Sequence, residues 1–122
     1  MITIIIFRDK DGSAPFLDWF DRLAEKAKVQ CRARLELLAE QGHQLRRPAA
    51  DYLRDGIYEL RAKAGRVQYR MLYFFHGRQA VVISHGITKQ EAAVPPTEIE
   101  RARRRKQAFE ADPQRHAYKE TL

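Results

Sequence analysis

The order of patterns along the chain predicts an α+β domain: an N-terminal strand and a helical hairpin, a mainly antiparallel sheet, and a C-terminal helix. Three observations carry this. Met1 to Arg8 (MITIIIFR) is β-branched and apolar without a break, as a strand covered on both faces should be. Phe16, Leu17, Phe20, Leu23, Ala24 and Ala27 fall at helical spacing, and Cys31, Leu35 and Leu38 continue the stripe. Gly56 to Lys89 then reads as three strands joined by two tight turns, with cations interrupting an otherwise apolar pattern.

Each boundary has a local cause. Asp9-Lys10-Asp11-Gly12 is turn chemistry, Ser13 is placed to cap the first helix, and Pro15 fits its first turn. One helix from Phe16 to Gly42 would be long for so small a domain. The expectation is therefore two antiparallel helices with a break near Ala24 to Lys26, the second closed by Gly42. Residues 43–56 are polar and aperiodic, either a short strand or an irregular loop. The three strands are Ile57 to Lys63, Arg66 to Phe75 and Gln79 to His85, with turns at Ala64-Gly65 and His76-Gly77-Arg78. Pro95-Pro96 stops the sheet. Thr97 and Glu100 form a capping box for a helix reaching Ala111. Asp112-Pro113 ends it, and about 112–122 reads as a mobile tail.

At 122 residues the chain suits one domain spanning 1–122 with one core. Its net charge of +7 attracts polyanions: nucleic acid, an acidic protein or an anionic membrane. The single cysteine, Cys31, lies in the helical stripe and reads as a small core residue. The four histidines are scattered, so neither a metal nor another cofactor is expected. The apolar opening is too short for a signal peptide, and no segment approaches the ~20 apolar residues of a membrane span. The expectation is a cytoplasmic protein without a membrane partner.

Alternation sorts the strand residues by face. With Ala64-Gly65 as the loop, Lys63 opposes Arg66, Arg61 opposes Gln68 and Glu59 opposes Arg70, while Arg70 meets His85 across the next turn. One face then gathers Glu59, Arg61, Lys63, Arg66, Gln68, Arg70 and His85. Leu60, Val67, Tyr69, Met71 and Tyr73 face the helices. Two arginines, a carboxylate and an imidazole on a rigid sheet suit phosphodiester cleavage. The arginine fork matches phosphate oxygens, and Glu59 and His85 are the candidate acid–base pair. Glu59 with Arg70 is also a common kind of cross-strand ion pair. His43, His76 and His116 read as loop or surface residues. The run Arg101, Arg103, Arg104, Arg105, Lys106 on the final helix is a candidate nucleic-acid contact, together with Lys63 and Arg66. It could equally be a solvated face that serves solubility, and the same surface could also bind an acidic protein segment.

Four segments, Leu53 to Arg61, Tyr69 to Tyr73 (YRMLY), His85 to Lys89 (HGITK) and Pro95 to Arg104, together resemble the RelE/ParE toxin superfamily, above all its HigB-like and phage-derived members. The resemblance implies a RelE-like fold with a curved sheet, and the toxin role in a type II toxin–antitoxin system. It further implies a ribosome-dependent, metal-independent mRNA endoribonuclease that inhibits translation. The implied partners are ribosome, mRNA and a cognate antitoxin, usually HigA-like with a helix-turn-helix. Arg70 matches the arginine of the family's Tyr-Arg strand motif, Arg61 a second basic position, and Lys89 a catalytic or RNA-binding position after the last strand. ParE-like relatives share the fold but inhibit DNA gyrase without cutting RNA, which gives one alternative. A non-toxic nucleic-acid-binding module is another.

Overall fold

A computed structural model describes residues 1–89 and 93–118, with Lys89 described by its backbone alone. Its elements are β1 (Thr3–Ile6), α1 (Pro15–Asp21), α2 (Glu25–Gln41), β2 (Ala50–Arg54), β3 (Ile57–Ala64), β4 (Val67–His76), β5 (Ala80–Lys89), α3 (Pro96–Ala111) and α4 (Pro113–His116). The strands form one mixed sheet in the order β1-β5-β4-β3-β2. β1 runs parallel to β5, and the other neighbours are antiparallel. This is the α+β architecture expected, consistent with a RelE-like fold.

Both faces of the sheet are covered, which explains the unbroken apolar run of β1. Ile2, Ile4 and Ile6 enter one core, beneath α1 and α2, while Ile5 and Phe7 enter another. In the first core Phe16, Ala27, Cys31 and Leu38 pack on Leu60, Tyr69, Met71 and Tyr73, the sheet residues that alternation assigns to the helices. Burial there pushes the Cys31 thiol up to about 11, so it is an inert packing group. The break between α1 and α2 falls at Arg22 to Ala24, two residues before its expected place. Ser13 caps nothing: Ala14 holds the N-cap, and the Ser13 hydroxyl donates to Asp11 instead. Gly42, at φ 52°, closes α2 as expected.

Three findings concern the sheet, the last two of them corrections. First, of the two readings open for 43–56 the strand is the one present: β2 is an antiparallel neighbour of β3, with a register irregularity between Tyr52 and Arg54, turned by Asp55-Gly56 with both φ angles positive. Asp-Gly is itself a hairpin signal. Second, the next loop is Gly65-Arg66, because Ala64 pairs with Val67. Arg61 therefore opposes Arg70, Lys63 opposes Gln68 and Glu59 opposes Leu72. A slip of two leaves every side chain on its expected face. Third, β5 opposes β4 through Arg70–Ile87 and Leu72–His85, and an irregularity at Leu72/Tyr73 leaves Ser84 as the extra residue.

The final helix packs on the sheet. Ile99, Ala102 and Phe109 of α3 bury Ile57, Leu72, Phe74 and Val82 on the second face, a contribution of about 1.5–3 kcal/mol for each large side chain. Its N-cap is Pro95, with no side-chain cap, and Glu100 is taken by Arg103, so the Thr97–Glu100 capping box does not form. Beyond Ala111 the described part of the tail is packed. The Asp112 carboxylate caps α4, His116 stacks on Phe7 at 5.1 Å, and Ala117 bridges Phe7. Residues 119–122 lie outside the described residues.

Candidate functional site

Because α3 covers only the half of the second face around Leu72 and Phe74, the half around Arg61 and Arg70 stays open. Beyond the Ala50–Leu60 pair the Arg61 N–H donates to the Ala49 carbonyl at 2.7 Å, and past that bond the end of β3 is an edge. A shallow cleft of about 300 Å³ wraps this edge, lined by Arg34, Pro48, Arg61, Lys63, Gln68 and Arg70.

Arg61 and Arg70 lie directly opposite one another, a like-charge pairing that costs stability unless it is compensated. Glu59 compensates it. Its Oε1 accepts from Arg61 Nε at 2.6 Å and lies 3.5 Å from Arg70 Nε. Arg61 also reaches Asp51 at 3.3 Å, and Asp51 in turn accepts from Arg47 at 2.8 Å. The Arg47 hydrogen bond is the main reason the Asp51 carboxyl sits below its ordinary range, with Arg61 adding to it. Arg70 Nη2 donates to Gln68 Oε1 at 2.6 Å. Among the described residues the buried Arg70 Nε has no hydrogen-bond partner, since the 3.5 Å approach to Glu59 is ion-pair contact without hydrogen-bond alignment. Burial holds the Arg70 guanidinium below the usual arginine value; Glu59 opposes that shift and Arg61 adds to it. The cluster is a pair of clamped guanidiniums with donor capacity left over at an open cleft.

The structure thus brings together Glu59, Arg61, Lys63 and Arg70. Arg66 stands exposed in the adjoining turn. The Lys89 backbone pairs with Gln68, and its side chain lies outside the described residues. His85 is not part of the group. Leu72 stands between it and Glu59 in the sheet, and two strand spacings amount to roughly 10 Å. His85 is enclosed under α3, its Nδ1 shared with the Ser84 hydroxyl at 2.8 Å and its Nε2 with Glu98 at 3.1 Å. Two contributors were missed. Arg34 lies three residues after Cys31 and four before Leu38, so the flank of the helical stripe would have pointed to it. Asp51 had no such signal, because β2 was left open as strand or loop.

The basic run divides. Arg101 pairs with Glu98 at 2.8 Å, Arg103 with Glu100 through two hydrogen bonds, and Lys106 with Glu110 at 3.2 Å. Arg104 is only loosely near Glu100, at 3.9 Å. Arg105 is half-buried over the Phe7 ring. Of the remaining histidines, His43 stacks on Phe75 at 3.8 Å and His76 meets Phe109 edge-on. Among the described residues no group of His, Cys, Asp or Glu could hold a metal ion, and no helix is long and apolar enough to cross a membrane.

Burial pushes the His85 imidazole down to about 4, with Arg105 and Arg101 adding to the shift and Glu98 opposing it. The unfolded chain therefore binds a proton between pH 6.5 and 4 that the folded chain refuses. The stability this histidine contributes is complete above pH 6.5 and is lost as the pH falls towards 4, by about 3 kcal/mol in all. Melting curves from pH 7.5 to 4.5 should show wild type losing more stability than His85→Gln. A constant gap between the two would contradict a neutral, enclosed His85.

Residues 18–107, from within α1 to within α3, match the family model described as phage-derived protein Gp49-like. The matched span contains every candidate site residue. The chain belongs to the Gp49-like family. This is a RelE-like toxin family of toxin–antitoxin systems. A search of curated protein sequences gives no significant match. Within the Gp49-like chain, the family span includes both the open arginine cleft and the helix that encloses His85.

Proposed function

We propose that this Gp49-like protein is the toxin of a type II toxin–antitoxin pair, of the HigB-like kind, and cuts mRNA on the ribosome. The observation that carries the reading is the pair of guanidiniums, Arg61 and Arg70, fixed side by side by Glu59 at the rim of an open cleft. In RNA cleavage by the 2′-hydroxyl, that oxygen bonds to phosphorus while the bond to the 5′-oxygen breaks. This leaves a 2′,3′-cyclic phosphate and a 5′-hydroxyl. The crowded intermediate carries more negative charge than the starting diester, so donors fixed in advance lower the barrier. Arg70 is fixed by burial and by Gln68, Arg61 by Glu59 and Asp51, and Arg34 and Lys63 add charge around the cleft.

In this reading Glu59 holds the two arginines in place, and His85 fastens α3 rather than moving protons. The proton steps fall to Lys63 at the rim and to Lys89, whose backbone stands opposite Gln68. One observation favours a second reading: among the described residues, the cleft holds no imidazole, and the carboxylates beside it are engaged by arginines. Such a surface would also suit a ParE-like inhibitor that binds gyrase without cutting RNA. The partner in either case is a cognate antitoxin, HigA-like with a helix-turn-helix in the first reading.

The test is mRNA integrity in a cell-free translation reaction with and without ribosomes. Discrete cuts bearing 5′-hydroxyl ends, formed only when ribosomes translate, are the expected result. Intact mRNA from folded protein, with growth arrest and a DNA-damage response in cells, would replace the first reading by the second.

A further inference from the structure

A second cationic cleft lies on another part of the molecule, between α3, the connection from β1 to α1, and α4. It has a volume of about 700 Å³ and takes Lys10, Arg101, Arg104, Arg105 and Arg115 against the carboxylates Asp9 and Asp112. These cations are up to 105 positions apart in the chain. The packed tail brings them together: Asp112 starts α4, and Arg8 donates twice to the Arg115 carbonyl.

Pairing separates this cleft from the rest of the basic surface. On the other flank of α3, Arg103 and Lys106 are matched one turn away by Glu100 and Glu110, and Arg54 by Asp55. In the cleft Arg101 is paired with Glu98 at 2.8 Å, but among the described residues Lys10, Arg105 and Arg115 make no side-chain ion pair within 4.0 Å, and Arg104 makes only its loose contact with Glu100. Arg105 adds a specific feature. Its guanidinium is half-buried and held over Phe7, and among the described residues its one hydrogen bond is to the Ser84 hydroxyl at 3.4 Å. Most of its donors are unspent in a place where water solvates them poorly. Asp112, which caps α4, and Asp9 offset part of this charge, but they are two carboxylates against five cations.

We infer that this cleft binds the phosphodiester backbone of a nucleic acid, with Lys10, Arg104, Arg105 and Arg115 as the phosphate contacts. Arginine forks match phosphate oxygens in pairs, and the volume has room for more than one nucleotide unit. The cleft is separate from the Arg61–Arg70 site, so it serves to hold a polymer rather than to cut it. The inference does not depend on the nuclease reading.

Two triple variants with the same net charge test it. Lys10→Gln/Arg104→Gln/Arg115→Gln empties the cleft of three exposed cations. Arg54→Gln/Arg103→Gln/Lys106→Gln removes three from the opposite flank. Thermal melts establish that both fold. Each is titrated against an RNA hairpin and a DNA duplex of the same sequence, across a salt series and without ribosomes. The cleft triple should bind at least about 10-fold more weakly near 0.1 M salt, with a salt slope shallower by about 2, because each lost phosphate contact takes roughly 0.7–0.9 from the slope. The flank triple should stay close to wild type. Loss confined to the RNA or to the DNA arm names the polymer. Equal weakening by both triples, no change in either, or loss of binding to a poly-glutamate peptide alone would overturn the inference. Cleavage is not the readout, so this result and the ribosome test can fail independently.

Discussion

Arg70→Ala should lower ribosome-dependent mRNA cleavage by about 100- to 1,000-fold, the range for removing one fixed charge-stabilising donor from an active site. The protein should still fold cooperatively. Arg70 is 6% exposed and contacts Glu59 and Gln68. Its removal leaves Glu59 paired with Arg61 at 2.6 Å, so no carboxylate is stranded in the interior. The informative companion is Arg70→Lys. A lysine restores one positive charge beside Glu59 but not the planar fork, nor the Nη2 donor that Gln68 accepts from. If Arg70 only balances the charge of Glu59, lysine recovers both melting temperature and activity. If two of its nitrogens hold the phosphate, lysine recovers the melting temperature and leaves cleavage low. Activity normalised to folded protein, measured beside a melt, reads the two apart. Full activity in Arg70→Ala would remove the cleft from the mechanism.

Parity survived the errors of register, and that is why the site could be read at all. Placing the loop at Ala64-Gly65 instead of Gly65-Arg66 moved every cross-strand partner by two, yet Glu59, Arg61, Lys63 and Arg70 stayed on one face. What alternation does not carry is which part of a face is covered. Ile99, Ala102 and Phe109 fall at helical spacing beside the basic run and so are legible as its packing face, but the spacing does not say that they sit on Leu72, Phe74 and Val82. That packing encloses His85 against Ser84 and Glu98, apart from Glu59, with which the sequence reading pairs it. Pairing partners were likewise invisible. One basic run holds both neutralised and unneutralised arginines, and the difference depends on Glu98, Glu100 and Glu110 one turn away and on Lys10 and Arg115 from the chain's two ends. The tail reads as mobile because it is the chain's terminal stretch after Asp112-Pro113, but in its described part His116 stacks on Phe7 and Ala117 pairs with Phe7, just past the end of β1.

Gly86→Ala should be the most damaging single methyl in the sheet. A Cβ on Gly86 would lie 2.1 Å from Cε3 of Trp19, well inside van der Waals contact, with two further ring atoms at 2.3 Å. The ring has little freedom to retreat. Its Nε1 donates to the Thr88 hydroxyl at 3.0 Å, its edge meets Tyr69, and Phe16 packs beside it. The methyl must therefore push α1 off β5 or break these contacts together. Overpacking of this kind costs about 1–3 kcal/mol, and more where no side chain can yield, so the melting temperature should drop by about 10 °C. Backbone strain is not the cause, since Gly86 is absent from the positive-φ residues. The double-mutant cycle isolates the contact. In a Trp19→Leu background the space above Gly86 opens, so Gly86→Ala should cost far less there than in wild type. An equal cost in both backgrounds would mean that the methyl acts through the β5 strand itself, and that Trp19 is not what requires glycine at this position.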